Sequence, residues 1–257
     1  MKVGVAMGTI THLVSNVGII PLQNDEKNED FAAAWEKDGT VFQLIADGNG
    51  ATEEYNPATF CANEIRRFCD LYFKNVTTTA EAQKIIGSAV YTANRVLLAY
   101  KKANGEKYTN NSFTTLTMSA ILPDNHFVFA HCGNSRLYLV RNERIVQLTK
   151  DHTEAQRLCD EGKLTKEEIP MHPDNSILSS ALGFEVPRID VMAGTLQKGD
   201  IIITLTDGVH KVINLDQLHD IVFQTGNCKD ACDGIVQVVR ALGAPDNFSA
   251  IFSYIHE

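Results

Sequence analysis

Short apolar runs rich in β-branched and aromatic residues recur along most of the chain, and Gly, Asp and Asn bound many of them. This pattern is typical of β-strands. Consecutive runs between residues 113 and 147 are joined by short turns, so we expect an antiparallel meander there. Strands are predicted at residues 31–35, 41–46, 113–122, 127–132, 137–141, 144–147, 201–206 and 248–255.

Two stretches between the early and the later strands repeat apolar residues at helical spacing. The first covers residues 60–73, and the second follows a capping box formed by Thr78 and Glu81. Two further helices are predicted at residues 215–223 and 229–242. The expected apolar face is Cys61, Ile65, Phe68 and Tyr72 in the first helix, and Ile85, Ala89, Val96 and Tyr100 in the second.

Residues 153–190 contain few large apolar side chains. Thr153 with Gln156, and Thr165 with Glu168, are spaced as N-terminal caps of two short helices. This composition predicts a surface flap. The surrounding order of antiparallel strands and segregated helix pairs predicts an α+β layered sandwich.

Three predicted strands end or begin at an acidic turn. One strand runs into Asp47, a later one runs into Asp207, and Asp246 opens the last strand. A further acidic pair, Glu29 and Asp30, precedes the first strand. If these strand ends are neighbours, their carboxylates meet at one rim, where oxygen ligands suit hard divalent cations such as Mg²⁺ or Mn²⁺.

Length and charge narrow the possible functions. The chain has 257 residues, is 44% hydrophobic and has no obvious linker or repeat, so we expect one domain over residues 1–257. Its net charge of -9 argues against a nucleic-acid surface. No apolar run approaches the roughly 20 residues of a membrane helix, and the first residues lack a secretion pattern, so a cytoplasmic location is expected. The six scattered cysteines are predicted to be reduced.

Six segments of the sequence match the motifs of a known protein family, in the same order along the chain. They read VFQLIADGNG (41–50), the Thr114-Thr115 strand, HCGNSRLYLVRNERIVQLTKDHT (131–153), HPDNSILSSALG (172–183), GDIIITLTDGV (199–209) and APDNFSAIF (244–252). This ordered set resembles the motifs of metal-dependent protein phosphatases of type 2C, in the compact form typical of bacteria. The likeness extends over nearly the whole chain from about residue 18.

The resemblance implies a four-layer αββα sandwich that hydrolyses phosphoserine and phosphothreonine in proteins with two Mn²⁺ or Mg²⁺ ions. A water activated by the ion pair attacks phosphorus, so no Cys or Ser nucleophile is needed. Asp47, which bridges the ions, and Asp207 are the implied catalytic residues. The implied partners are phosphoproteins, including a serine/threonine kinase or its targets. The implied metal ligands are Glu29 and Asp30 (either one, directly or through a water), Asp47, Gly48 through its carbonyl, Asp207 and Asp246.

Two positions depart from the family pattern. Asp25 stands where an Arg grips the substrate phosphate, and Lys27 is the nearest cation, able to act as a point charge but not as a bidentate fork. Asn134 replaces an Asp that many bacterial members use for a third metal, so that site is expected to be weakened. Two hypotheses follow: an active phosphatase, or a pseudophosphatase that keeps the fold as a binding or regulatory module with little turnover.

Overall fold

Eleven strands form two antiparallel sheets in the computed structural model, which describes residues 27–105 and 111–256 and the backbone of residues 9–16. They are β1 (Thr9–Asn16), β2 (Asp30–Lys37), β3 (Thr40–Asn49), β4 (Phe113–Thr114), β5 (Leu116–Ile121), β6 (His126–Cys132), β7 (Arg136–Arg141), β8 (Arg144–Gln147), β9 (Asp190–Thr195), β10 (Ile201–Leu205) and β11 (Phe248–Ile255). The first sheet has the order β1-β11-β10-β7-β8. The second has the order β2-β3-β5-β6-β9, with β4 beside β3.

A pair of helices covers the outer face of each sheet. Helices α1 (Pro57–Tyr72) and α2 (Thr79–Asn104) pack on the second sheet, and α5 (Leu215–Thr225) and α6 (Cys228–Ala241) pack on the first. The two sheets face each other, so the layers follow the predicted αββα order. Of the described helices, none combines the length and the apolarity that a membrane crossing requires.

Three hydrophobic clusters hold these layers together. The cluster under α1 and α2 contains Trp35, whose ring stacks on Phe42 at 4.9 Å between centroids. Trp35 is therefore a core residue. A second cluster lies under α5 and α6. The third lies between the sheets and includes Phe129, Leu137 and Ile202.

One polar bridge crosses the layer between the sheets. Gln43 is fully buried, and its Nε2 donates to Ser119 Oγ at 2.8 Å within the second sheet. Ser253 Oγ, from the first sheet, donates to Gln43 Oε1 at 3.1 Å. Because a buried amide without partners is costly, this bridge favours one register between the two sheets.

The buried face of α2 differs from the predicted one. Ala89 is buried as expected, but Ile85, Val96 and Tyr100 are only partly buried. The buried face is turned by about one residue from the predicted one, toward Ile86, Val90 and Leu97, so the predicted large side chains lie at its edges. The residues buried along α2 are Ala82, Ile86, Ala89, Val90, Ala93, Asn94 and Leu97.

Two strands and one helix also differ from expectation. The sequence pattern does not predict β9, because it is a partly exposed edge strand that pairs, among the described strands, with β6 alone. Strand β1, also missed, pairs with β11. The predicted strand over residues 113–122 is broken between β4 and β5. The described cysteines are all free, and Cys159 alone among them is not buried.

Residues 153–190 contain little regular structure. Helix α3 (Glu154–Asp160) begins after Thr153, whose side chain accepts from Gln156 N as predicted. The second predicted α-helix is wrong: Glu168 Oε2 accepts from Thr165 N at 2.8 Å, but only two 3-10 turns follow. Pro170 and Pro173 lack the N–H groups that an α-helix needs there. We keep the name flap for residues 153–190.

Gly208 allows the one-turn helix α4 (Asp207–His210) to lie against the turn before β11. A Cβ on Gly208 would fall 1.9 Å from the carbonyl oxygen of Asn247, a backbone atom. Gly87 in α2 has ordinary space, with the nearest atom at 3.5 Å.

We therefore expect Gly208→Ala to lower the free energy of unfolding by about 3 kcal/mol or more, because the turn or the helix must move. The matched change Gly87→Ala should raise it by up to about 1 kcal/mol through helix propensity. Denaturant unfolding of both variants measures the difference. Equal stabilities for the two variants would contradict the close approach at Gly208.

Candidate metal centre

Two carboxylates of the second sheet lie directly opposite each other. In the antiparallel register of β2 and β3, Asp30 pairs with Asp47, so both side chains point to the same face of the sheet. The main chain of Asp47 is held by Thr115, whose Oγ1 accepts from Asp47 N at 2.9 Å. Like charges placed opposite each other destabilise a sheet, so this pair needs compensation.

The first sheet adds two carboxylates at the same end of the sandwich. Asp207 is the first residue of α4, directly after β10, and Asp246 lies in the turn before β11. Thr206 Oγ1 donates to Asp30 Oδ2 at 2.8 Å and so ties the first sheet to the second. Glu29 N donates to Asn247 Oδ1 at 2.8 Å and makes a second tie. The strand ends are therefore neighbours, as the acidic turns predicted.

Burial and mutual repulsion shift the ionisation of this carboxylate cluster, by which we mean Asp30, Asp47, Asp207 and Asp246. Burial raises the pKa of Asp30 to about 7, and the charges of Asp207 and Asp246 act in the same direction. Burial, together with the charges of Asp207 and Asp30, also holds the pKa of Asp47 well above its ordinary value. Desolvation and the charge of Asp207 raise the pKa of Asp246. Such shifts mark a site that lacks compensating positive charge.

Asp207 is the exception within the carboxylate cluster. Burial acts to raise its pKa, but the charge and hydrogen bond of Lys211 outweigh burial, so the pKa is lowered. Lys211 Nζ donates to Asp207 Oδ2 at 2.6 Å, one helical turn further along the chain. Asn134 Nδ2 donates to the same oxygen at 3.0 Å. Sequence reasoning missed both contacts, although an Asp and a Lys four residues apart on a helix are a recognisable pair.

The donor atoms of the cluster fit a hard cation. Asp30 Oδ1 and Asp207 Oδ1 are buried and have no hydrogen-bond partner among the described residues, which is costly unless a cation or water binds them. A Cβ on Gly48 would lie 2.8 Å from the carbonyl oxygen of Glu29, so only Gly allows the chain to pass here. As the side chains stand, no three His, Cys, Asp or Glu residues within the described ranges converge at metal-binding distances. Thr206, Asn134 and Lys211 hold the outer carboxylate oxygens.

The remaining predicted site residues lie nearby or outside the described ranges. Glu29 Oε1 accepts from Ala51 N at 2.6 Å, so this carboxylate shapes the loop after Asp47. Lys27 is exposed, and no ion pair joins it to the carboxylate cluster among the described residues. Asp25 lies outside the described residues.

A cavity of about 320 Å³ opens beside Asp207, between the sheet end and the flap. Arg136 borders it, and its guanidinium donates three hydrogen bonds of 2.7–3.1 Å to the Asp151 carboxylate. His210 Nε2 contacts the carbonyl oxygen of Asn134 at 2.9 Å. Burial and the charge of Arg136 lower the pKa of His210 to about 4, so this imidazole is neutral at pH 7. We call this space the side cavity; it is lined by Asn134, Arg136, Pro170, Asn175, His210 and Lys211, among others.

His152 fastens the beginning of the flap and is not part of the carboxylate cluster. It is buried, with Nδ1 accepting from Gly133 N at 3.2 Å and Nε2 contacting Asp190 at 3.1 Å. Its backbone N also donates to the carbonyl oxygen of Gly133 at 2.7 Å. These contacts describe a structural histidine.

Comparisons with known proteins agree with this geometry. The model of the family Protein phosphatase 2C matches residues 23–167. The protein phosphatase PhpP of Streptococcus pneumoniae is 33% identical over 264 residues, which cover 95% of this chain and 97% of that protein. The structure of the S. agalactiae serine/threonine phosphatase superposes with a TM-score of 0.86 at 23% identity, over 96% of this chain and all of that one. The catalytic domain of the phosphatase PstP, solved with two manganese ions, superposes with a TM-score of 0.78 at 21% identity, over 97% of this chain and 99% of that one. The chain therefore belongs to the protein phosphatase 2C family.

Proposed function

We propose that this chain hydrolyses phosphoserine and phosphothreonine in proteins, using two divalent cations held by the carboxylate cluster. The observation that carries the proposal is the grouping of four aspartates from both sheets. Burial and mutual repulsion raise the pKa of three of them, and two have a buried oxygen with no hydrogen-bond partner among the described residues. The family and the serine/threonine phosphatases similar to this chain support the reaction class. The substrate is a phosphoprotein, and we propose a serine/threonine kinase or its targets as the source and a cytoplasmic location.

In this proposal Asp47 and the Gly48 carbonyl of the second sheet would hold the ions together with Asp207 and Asp246 of the first. Glu29 or Asp30 would add an oxygen, directly or through a water. When bound, such an ion pair lowers the pKa of a water and neutralises the phosphoryl oxygens. Mn²⁺ and Mg²⁺ both suit an all-oxygen set. Asn134 brings an amide N–H rather than a carboxylate to Asp207, so we propose that a third ion binds weakly.

The residues of this chain prepare the site for that chemistry. Thr206 fixes Asp30 through Oδ2 and leaves Oδ1 buried toward the cluster. Thr115 fixes the backbone of Asp47 from the neighbouring strand. Rigid placement of this kind lowers the reorganisation needed during the reaction. No observation favours the alternative of a pseudophosphatase, because all four aspartates are present and lie together.

Asp47→Asn and Asp207→Asn should each reduce Mn²⁺-dependent hydrolysis of p-nitrophenyl phosphate and of a phosphothreonine peptide by more than about 100-fold. Each change removes a charged oxygen ligand with little change in volume. Asp220→Asn, an exposed aspartate of α5, is the matched control and should keep wild-type activity. Manganese titration of the variants checks that affinity falls with activity. Wild-type turnover in either cluster variant would refute the assignment.

Without metal, the stability of the protein should fall as pH rises from about 5.5 to about 8. The folded pKa of Asp30 is about 7, above its ordinary 3.8, so its contribution is fully present below the unfolded pKa and is lost as pH rises through about 7. Asp47 acts in the same direction. Asp207, whose pKa is lowered, acts oppositely but only below about pH 4.

Added Mn²⁺ should therefore raise the melting temperature by several degrees, and more at about pH 8 than at about pH 5.5, because it binds the ionised carboxylates. Thermal unfolding in EDTA and in saturating Mn²⁺ at both pH values measures this. Asp30→Asn should flatten the pH dependence in EDTA. A manganese shift of the same size at both pH values would contradict the role of carboxylate repulsion.

A further inference from the structure

The side cavity places positively charged groups next to the carboxylate cluster, and their availability differs. Arg136 is bound to Asp151 through three hydrogen bonds, so its charge is already paired. His210, with its lowered pKa, has no charge to offer at neutral pH. Lys211 remains, with a side chain that is 37% exposed and borders the cavity.

The ammonium of Lys211 has more hydrogen-bond donors than its contact with Asp207 uses. An ammonium carries three N–H groups. Within residues 27–105 and 111–256, its single hydrogen bond goes to Asp207 Oδ2, at 2.6 Å. Two donors therefore have no protein acceptor in the described part of the chain, and the residue that carries them lines the side cavity. This contact joins the first residue of α4 to the residue one turn later.

The two oxygens of Asp207 have separate surroundings. Oδ2 accepts from Lys211 and Asn134, whereas Oδ1 is buried without a hydrogen-bond partner among the described residues. An ion bound at Oδ1 and the ammonium at Oδ2 would thus share one carboxylate. A phosphate dianion at the ions would find the ammonium beside it, on the side of the cavity. Four carboxylates otherwise surround that anion with negative charge, so one more cation has a large electrostatic effect.

We propose that Lys211 is a substrate-binding residue that donates to a phosphoryl oxygen, and that the side cavity receives the peptide next to the phosphorylated side chain. This inference rests on the proposed function. The cavity, at about 320 Å³, is within the range of roughly 300–1,000 Å³ that is common for ligand sites. Pro170 and Asn175 of the flap and the ammonium of Lys211 border the same space. The cavity therefore combines a cation for phosphate with flap surface for the peptide.

The test uses inorganic phosphate as the probe, together with a phosphothreonine peptide. Lys211→Met keeps the length of the side chain but removes its charge, and Lys211→Arg restores the charge. Lys229→Met is the matched control, because Lys229 also pairs with an Asp four residues away on a helix, at 2.5 Å, but on the exposed face of α6. Lys27→Met tests the cation predicted from sequence. Melting temperatures confirm that each variant folds.

At saturating Mn²⁺, Lys211→Met should raise the inhibition constant of phosphate and the KM of the peptide by about ten-fold or more, with a smaller change in kcat. Lys211→Arg should recover most of this loss, and Lys229→Met should change neither constant. Calorimetric Mn²⁺ affinity should stay the same or tighten in Lys211→Met, because a competing cation has left Asp207. Unchanged phosphate constants, or a loss that disappears as Mn²⁺ is raised, would overturn the inference and leave Lys211 as a partner of Asp207 alone.

Calorimetric titration of phosphate onto the Mn²⁺-loaded protein separates this inference from the proposed function. Phosphate binding that depends on Lys211, without any hydrolysis by the wild type, would support the inference and refute the proposed function. If the wild type hydrolyses the peptide but Lys211→Met binds phosphate as tightly as the wild type, the proposed function is supported and the inference is refuted. A loss that appears in Lys27→Met and not in Lys211→Met would assign the phosphate contact to Lys27 and overturn the inference.

Discussion

Repulsion between carboxylates at the shared end of the two sheets is the constraint on which this site depends. Asp30 and Asp47 lie opposite each other in one sheet, and Asp207 and Asp246 approach from the other. Burial and repulsion raise the pKa of three of the four, so the cluster is unstable unless protons or cations neutralise it. In the proposed function, divalent ions supply this neutralisation.

The rest of the fold keeps these charges together against their repulsion. Separate hydrophobic clusters fasten each helix pair to its sheet, and a third cluster joins the sheets. At the site, Thr206 and Asn247 connect the two sheets directly by hydrogen bonds to Asp30 and Glu29. Gly208 permits the close approach of α4 and the last turn. A scaffold of this kind limits the movement by which carboxylates would otherwise separate.

Positive charge is distributed unevenly around the carboxylate cluster, so the electrostatic potential differs between its sides. Arg136 is committed to Asp151 at the beginning of the flap, whereas Lys211 contacts Asp207 and still faces the side cavity. Asn134 supports the same oxygen of Asp207 without adding charge. One side of the cluster is therefore less negative than the others. An anionic substrate meets the smallest electrostatic barrier on that side.

Local sequence patterns predicted most of the strands and helices and placed all four aspartates of the carboxylate cluster at strand ends. They could do so because strand periodicity, helix caps and acidic turns depend on residues close in sequence. The same reasoning missed β9 and misplaced the buried face of α2, since an edge strand and the buried side of a helix are defined by their partners. Only the tertiary structure decided how the acidic turns meet. The bond from Thr206 to Asp30 spans 176 positions, and that from Asn134 to Asp207 spans 73. Contacts between such distant residues arise from the packing of two sheets, and no local pattern encodes which oxygen of Asp207 is occupied and which remains for a cation.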